Sequence, residues 1–288
     1  MRRFLAVLPV AALLSLVGCN HWPPRPDNGV APPPMLILKT EPKAADLVAY
    51  LNGNAAKVPG LFCQNVYIDA RQGTQQPIGM DATMACDKSR DFRMKAKVAG
   101  SAVADFGSNQ DEFWYWITKA DPPYVFHGKY ADMKDARTEL PIPFQPDLVI
   151  AALGVGEYDP NGQYEVRTNK DVVELIEPAV SIQGKKVWKI TVFNRGPVTA
   201  TRPQVLAYVL KDEKGKDIAV ATITATQVNR ETGAVLPRSI QLTLVPERTP
   251  NDKVEMKMVF DNLQVKNFDK DQRASMFSLR RAGQPAGI

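Results

Sequence analysis

Residues 92–100 read FRMKAKVAG, and their alternation decides the fold. Phe92, Met94, Ala96 and Val98 fall on one side of an extended chain, and Arg93, Lys95 and Lys97 on the other. That is the two-residue period of a strand with one buried and one wet face. The same texture continues outward in both directions. Upstream stand LFCQNVYID (61–69) and PIGMDATMAC (77–86); downstream stand AVADFG (102–107), EFWYWITK (112–119) and YVFHGKY (124–130). Consecutive strands with brief turns argue an antiparallel meander.

A second strand run follows: QYEVRT, DVVELIE, KKVWKITVFN, RPQVLAYVLKD, DIAVATITATQV, RSIQLTLVP and DKVEMKMVFDNLQV, between residues 163 and 265. Near a dozen strands and no internal repeat predict a mainly β (α+β) chain. Its sheet is large, antiparallel and strongly curved, and such a sheet can close round a cavity. Two helices interrupt the pattern. In Glu41–Val58, Ala44, Leu47, Val48 and Leu51 recur at the spacing of one helical face, Pro42 suits a first turn, and Pro59-Gly60 stops it. In PIPFQPDLVIAALGVG (141–156), Pro146 opens a short helix at Asp147 that Gly154 ends. Leu148, Val149, Ile150 and Leu153 make it apolar almost all round, so it calls for burial.

The amino terminus reads as an address. Arg2 and Arg3 precede an apolar run, Phe4–Leu16, of the length of a signal-peptide core. It is too short to span a bilayer, which takes about 20 apolar residues. Leu16-Val17-Gly18-Cys19 resembles a bacterial lipobox, in which Cys19 takes a diacylglycerol thioether and becomes the new amino terminus. Two or more acyl chains anchor a protein stably. Residues 1–18 are therefore expected to be a signal peptide, and 19–41 a lipidated cysteine with a proline-rich tether. Six prolines in NHWPPRPDNGVAPPP (20–34) favour polyproline II, which reaches up to about 45 Å at about 3.1 Å per residue. His21 and Trp22 sit beside the lipid.

Composition excludes little beyond this. The apolar share is 44% and the charged share 23%, those of an ordinary globular protein. The formal charge of +5 includes Arg2 and Arg3, which leaves +3 on the mature chain. No basic cluster interleaved with aromatics argues for nucleic acid. Cys63 and Cys86 remain after Cys19 is lipidated. A hairpin symmetric about Gln72–Pro77 would set them opposite each other, in reach of a disulfide; two buried free thiols are the alternative. No CxxC, HExxH, GxSxG or Walker A pattern is present, and Gly154-Val155-Gly156 lacks a third glycine. Asp105, Ser108, Asn109, Asp111 and Glu112 mimic a calcium loop without its order. We expect no cofactor, no metal and no enzyme. A carboxylate pair about 5–9 Å apart would reopen hydrolysis.

The stretch SNQDEFWYWITK (108–119) is apolar on both faces of its strand. Trp114 and Trp116 point one way, and Phe113, Tyr115 and Ile117 the other, so both faces call for cover. Either parity can face a cavity. Trp114 and Trp116, with Leu148, Ile150 and Leu153, are the wall or lid candidates for an apolar ligand.

The order of these features resembles the LolA/LolB-like lipoprotein-carrier superfamily. The likeness runs through the early helix with its Pro-Gly stop, FRMKAKVAG, DFGSNQDEFWYW, the PFQPDLVIAALG helix, PRSIQLTLVP and VFDNLQVKN, across about Pro42–Leu279. It implies a single β-domain over 42–288, an unclosed β-barrel covered by an N-terminal helix and a short central helix. It also implies an apolar cavity for acyl chains. Cys19 places the chain nearer the membrane-anchored receptor-type members than the soluble carriers. The implied role is binding of lipid or an acylated ligand in the cell envelope, at the periplasmic face of the outer membrane where there are two membranes. The alternative is a structural lipoprotein whose packed, ligand-free sheet docks an envelope protein partner. The body is longer than a minimal carrier, the tether is extra, and no membrane-inserting loop residue matches.

Overall fold

The computed structural model describes residues 41–88, 90–118, 125–133, 144–247 and 249–279. Cys19, the signal peptide, and the tether up to residue 40 with His21 and Trp22 lie outside the described residues. Helix α1 spans Ala44–Ala55, and strands β1 (Gly60–Gln72), β2 (Ile78–Asp87), β3 (Phe92–Val98), β4 (Ser101–Ser108), β5 (Glu112–Ile117) and β6 (Val125–Lys129) follow. Two short helices come next, α2 (Tyr130–Met133) and α3 (Pro146–Ala152). The second meander is β7 (Glu165–Thr168), β8 (Val172–Val180), β9 (Lys186–Asn194), β10 (Val205–Asp212), β11 (Asp217–Val228), β12 (Val235–Leu244) and β13 (Val254–Asp261). A short β14 (Gln264–Val265) and α4 (Lys270–Met276) complete it. Among the described residues no helix is long and apolar enough to cross a membrane.

All fourteen strands belong to one antiparallel sheet in the order β6-β5-β4-β3-β2-β1-β13-β12-β11-β10-β9-β8-β7, with β14 beside β1. Two meanders thus join along one seam, β1 against β13, where Asn65 faces Asp261 and Gln72 faces Val254. The sheet does not close, and β6 and β7 are its edges. This is the mainly β, unclosed architecture expected. The β7 edge is short: it pairs β8 only up to Ile176, so among the described residues Glu177–Val180 has no strand beyond it. Pro178 sits in that free stretch, and an imide nitrogen cannot donate to an added strand.

The inner face holds the main core. Leu61, Cys63, Val66 and Ile68 of β1, Met84 and Cys86 of β2, and Phe92 and Met94 of β3 share it with Leu242, Met258 and Phe260. Phe144, Val149, Ile150 and Leu153 plug the same cluster. The Phe144 ring meets Phe92 at 5.9 Å and Phe106 at 5.4 Å, while α3 itself packs on β10 and β11. One short helix touches strands this far apart only because the sheet curls round it. Helix α3 runs as its residues dictate, with Pro146 in the first turn and Gly154 leaving at φ +82°.

Helix α1 is shorter than the predicted Glu41–Val58. Lys43 is its extended N-cap, and its backbone N–H meets Asp46 Oδ2 at 3.4 Å, so Pro42 stays outside. Leu47, Val48 and Leu51 pack on Val173, Leu175 and Phe193, covering the β8–β9 end of the inner face. Two asparagines rivet this helix down. Asn54 donates to the Val235 carbonyl at 3.0 Å and accepts from its N–H at 2.8 Å. Asn52 does the same with Tyr158, at 2.8 and 2.9 Å.

The candidate disulfide is corrected. Cys63 faces Met84, and Cys86 faces Leu61, two residues out of step. The turn, with Ala70 against Ile78, is already one residue off the cysteine pairing, and a bulge between Cys63 and Val66, where Gln64 and Asn65 face Thr83 alone, adds a second. Diagonal neighbours on a sheet stand beyond disulfide reach. Both thiols are free and buried. Burial pushes the Cys63 thiol up to about 11 and the Cys86 thiol higher still.

Candidate functional site

Strand β5 settles the parity question. Tyr115 joins the main core, its ring stacked on Phe126 at 4.9 Å and beside Phe106 at 6.1 Å. Phe113 joins a satellite cluster with Tyr130, Met133 and Ile182. Phe113, Tyr115 and Ile117 are therefore the inner parity. Ile182 belongs to the β8–β9 turn, so side chains bridge the two ends of the sheet where backbone pairing does not.

Trp114 and Trp116 lie on the outer face. Trp114 is buried there, over Gly107 of β4 and under the Arg93 guanidinium, 5.5 Å from the ring centroid. Arg93, itself 6% exposed, pairs with Asp105 at 3.0 and 2.6 Å. It also donates to the carbonyls of Met276 and Ser278 at 3.2 and 2.7 Å. The carboxy-terminal segment thus straps this part of the outer face, with Phe268 and Phe277 packed on Ala85. Trp114 packs under that strap, outside any inner cavity. The calcium-like loop is likewise committed elsewhere. Asp105 serves Arg93, the Asn109 side-chain oxygen accepts from the N–H groups of Asp111 and Glu112 at 2.9 and 3.0 Å, and Glu112 holds His127 at 2.6 Å. Among the described residues no group of three or more His, Cys, Asp or Glu side chains is arranged to hold a metal.

The inner face is not filled evenly. Between Phe92, Phe106, Phe144 and Met258 only about 10 Å³ is left. Beyond α3 a cavity of about 300 Å³ opens between that helix, the segment Val155–Tyr158 and strands β8–β10. Leu148 and Ile150 of the candidate set line it, with Val155, Val187 and Leu210. Leu153 is fully buried in the core beside it. The structure brings these three candidates together and leaves both tryptophans on the far side of the sheet.

Sequence reasoning missed the polar part of the wall. Glu177 of β8 and Lys189 of β9 pair at 3.6 Å. Asp147 opens α3 and is gripped by Arg90 at 3.0 and 3.1 Å; the Arg90 guanidinium also lies 4.4 Å over the Tyr130 ring. Arg90 reaches both from a left-handed backbone, φ +77°, uncommon for a residue with a Cβ. Glu157 is bound by Lys88 at 2.6 Å. On the floor the Tyr158 and Thr191 hydroxyls meet at 2.9 Å. Burial pushes the phenols of Tyr158 and Tyr208 upward, so both stay protonated. Gln145, the N-cap of α3, is 5% exposed, and its Nε2 has no partner among the described residues. A signal for part of this existed: Glu177 interrupts Val173 and Leu175, and Lys189 interrupts Val187, Thr191 and Phe193, on faces otherwise apolar or hydroxylic.

No family model and no curated protein matches the chain. Solved structures do. A putative outer membrane lipoprotein-sorting protein domain from Vibrio parahaemolyticus superposes with a TM-score of 0.51 at 8% identity, over 80% of this chain and 97% of that one. A DUF1329 family protein from Desulfovibrio piger gives 0.48 at 10% identity, covering 81% and 97%. A LolA superfamily protein from Nitrosomonas europaea gives 0.46 at 8%, also covering 81% and 97%. At a TM-score of 0.51 and 8% identity the Vibrio likeness is one of fold alone.

Proposed function

We propose that this chain is a lipid-anchored envelope protein that binds lipid or an acylated ligand, without catalysis, in the cavity between α3 and β8–β10. The observation that carries the reading is the cavity itself. A curled sheet whose side chains pack closely round Phe144 keeps about 300 Å³ open beside a short apolar helix. That volume is at the lower end of small-molecule sites, about 300–1,000 Å³. Apolar surface removed from water at about 25 cal/mol per Å² supplies the driving force, and no catalytic group is needed. The lipobox-like end at Cys19 supports attachment through a thioether, with residues 19–41 as the tether and 42–288 as the binding domain. The shared fold with a putative lipoprotein-sorting domain supports an envelope role. The periplasmic face of an outer membrane is the location that fits a two-membrane cell.

The test is native mass spectrometry of Asn20–Ile288, exported without the anchor and purified without detergent. Added mass that resolves into phospholipid, fatty acyl ester or acylated peptide on denaturation is the expected result. A clean apo mass with no uptake of an added acyl probe overturns it. The tight packing round Phe144 would then extend to the whole interior, and the protein would act as a docking lipoprotein for an envelope partner.

A further inference from the structure

Four large apolar side chains are more than a third exposed among the described residues: Tyr67, Ile78, Val180 and Trp188. Tyr67 lies in the middle of β1, but the other three share one end of the sheet. The strands from β2 through β1 and β13 to β8 alternate in direction, so the β1–β2 and β8–β9 turns fall at the same end. Ile78 opens β2 there, and Val180 and Trp188 flank the β8–β9 turn. Within that hairpin Pro178 faces Trp188, and Val180 faces Lys186. Ala179 and Val187 pack on the main core, so the alternation turns these four side chains outward. Val180 is 63% exposed and also lines the cavity, with Glu177, Ser181 and Ile182, where β7 has ended. The cavity therefore comes to the surface beside the exposed apolar side chains of the hairpin.

Lysines surround this patch. Lys185 and Lys186 belong to the hairpin, Lys211 is the cross-strand neighbour of Trp188, and Lys214 and Lys216 stand in the next turn. Glu247 takes Lys185 and Asp217 takes Lys211, each at 2.5 Å. Asp212 is spent on the turn, accepting from the N–H groups of Lys214 and Lys216 at 2.9 and 2.8 Å. The ammonium groups of Lys186, Lys214 and Lys216 have no carboxylate partner among the described residues, and Glu213 offsets one of them. An indole and aliphatic side chains ringed by long ammonium stems match the headgroup layer of a bilayer, where the apolar groups enter and the lysines reach phosphate. We infer that the β8–β9 hairpin seats on a phospholipid surface through Trp188, Val180 and Lys186, and so sets the mouth of the cavity against the lipid. The proposed tether supports this. Residues 20–34 span at most about 45 Å at about 3.1 Å per residue, and a surface held that near is met at high effective concentration. Depth is limited, because Glu177–Val180 has no strand beyond it among the described residues. Its edge backbone groups need water, so seating stops at the headgroups. Seating needs no bound ligand and goes beyond the acyl-binding reading.

The experiment is flotation of Asn20–Ile288, which keeps every described residue and lacks the anchor. The vesicles are phosphatidylcholine alone, and phosphatidylethanolamine with phosphatidylglycerol. The protein should float with both and more strongly with the anionic pair, the difference shrinking in high salt. Val180→Asp should weaken flotation about tenfold, the scale of one aliphatic side chain kept out of an apolar layer. Trp188→Glu should do the same, and Lys186→Glu should cost about fivefold on the anionic vesicles alone. Arg230→Glu, in the β11–β12 turn at the opposite end, should match the parent. Val180 and Trp188 are exposed, so thermal unfolding should stay that of the parent; Val180→Ser and Trp188→Gln repeat the test if it does not. A parent that floats with neither vesicle overturns the inference and leaves the hairpin to a protein partner. Flotation that survives Val180→Asp and Trp188→Glu would belong to Trp22 of the tether and overturns it too, as does an equal loss with Arg230→Glu. Acyl uptake is a separate readout. Trp188 does not line the cavity, so Trp188→Glu should still take up an acyl probe. A parent that floats yet takes up no probe upholds the seating and overturns acyl binding alone.

Discussion

Gly107 shows how little room one residue can have. A Cβ built there would stand 2.2 Å from Trp114 Cζ2, inside the indole. Gly107→Ala must therefore push a large buried ring under the Arg93 strap, and overpacking of this kind is destabilising by about 1–3 kcal/mol. Urea unfolding checks this, and adding Trp114→Leu should return part of the loss, because the two sites share one contact. Ligand capture by the α3 cavity should not change, since Trp114 lies on the other face. Asp91 carries a second residue-scale prediction. Burial pushes its carboxyl up to about 6; the charge of Asp87 adds to this and that of Arg273 opposes it. An unfolded Asp titrates near 4. Between about pH 4 and 6 the native state thus binds more protons than the unfolded one, and stability falls as pH rises through that window. Asp91→Asn should abolish that fall, equal the parent below pH 4 and exceed it above pH 6 in thermal unfolding scans.

At the scale of elements, α1 is held by side-chain amides as much as by its apolar face. Asn54→Ala leaves both backbone groups of Val235 without their partner and should reduce stability by about 2 kcal/mol, measurable by denaturant titration. Asn52→Ala should act alike through Tyr158, and also widen the cavity, whose wall Tyr158 forms. Element-scale features were the most legible in sequence. The alternation in FRMKAKV gives β3, and Pro146 with Gly154 brackets α3 because each reports its own backbone geometry. What stayed illegible depends on distant partners. The inner parity of FWYW could not be read, because the outer cover of Trp114 comes from Arg93 and the segment near Ser278. The cysteine register could not be read either, because the turn offsets the pairing by one residue and the bulge at Gln64–Asn65 by another.

At the scale of the molecule, the unclosed sheet reconciles two demands. Side chains pack closely round Phe144, and a gap of about 300 Å³ opens beyond α3. The site was legible only in outline. Leu148 and Ile150 announce themselves as a greasy helix. Glu177 and Lys189 break strand faces otherwise apolar or hydroxylic, but only the curl of the sheet turns that break into a cavity wall.

The seam between β1 and β13 sets the order of assembly. Asn65 waits for Asp261, almost the whole length of the body, before the middle of the sheet can exist. Pairings this remote in sequence form slowly, because loop-closure entropy is lost before contacts compensate it. The first meander cannot complete its inner face while the chain is still emerging from the ribosome. Leu61, Val66 and Ile68 stay uncovered until the last strands arrive, and a chain in that condition is still threadable.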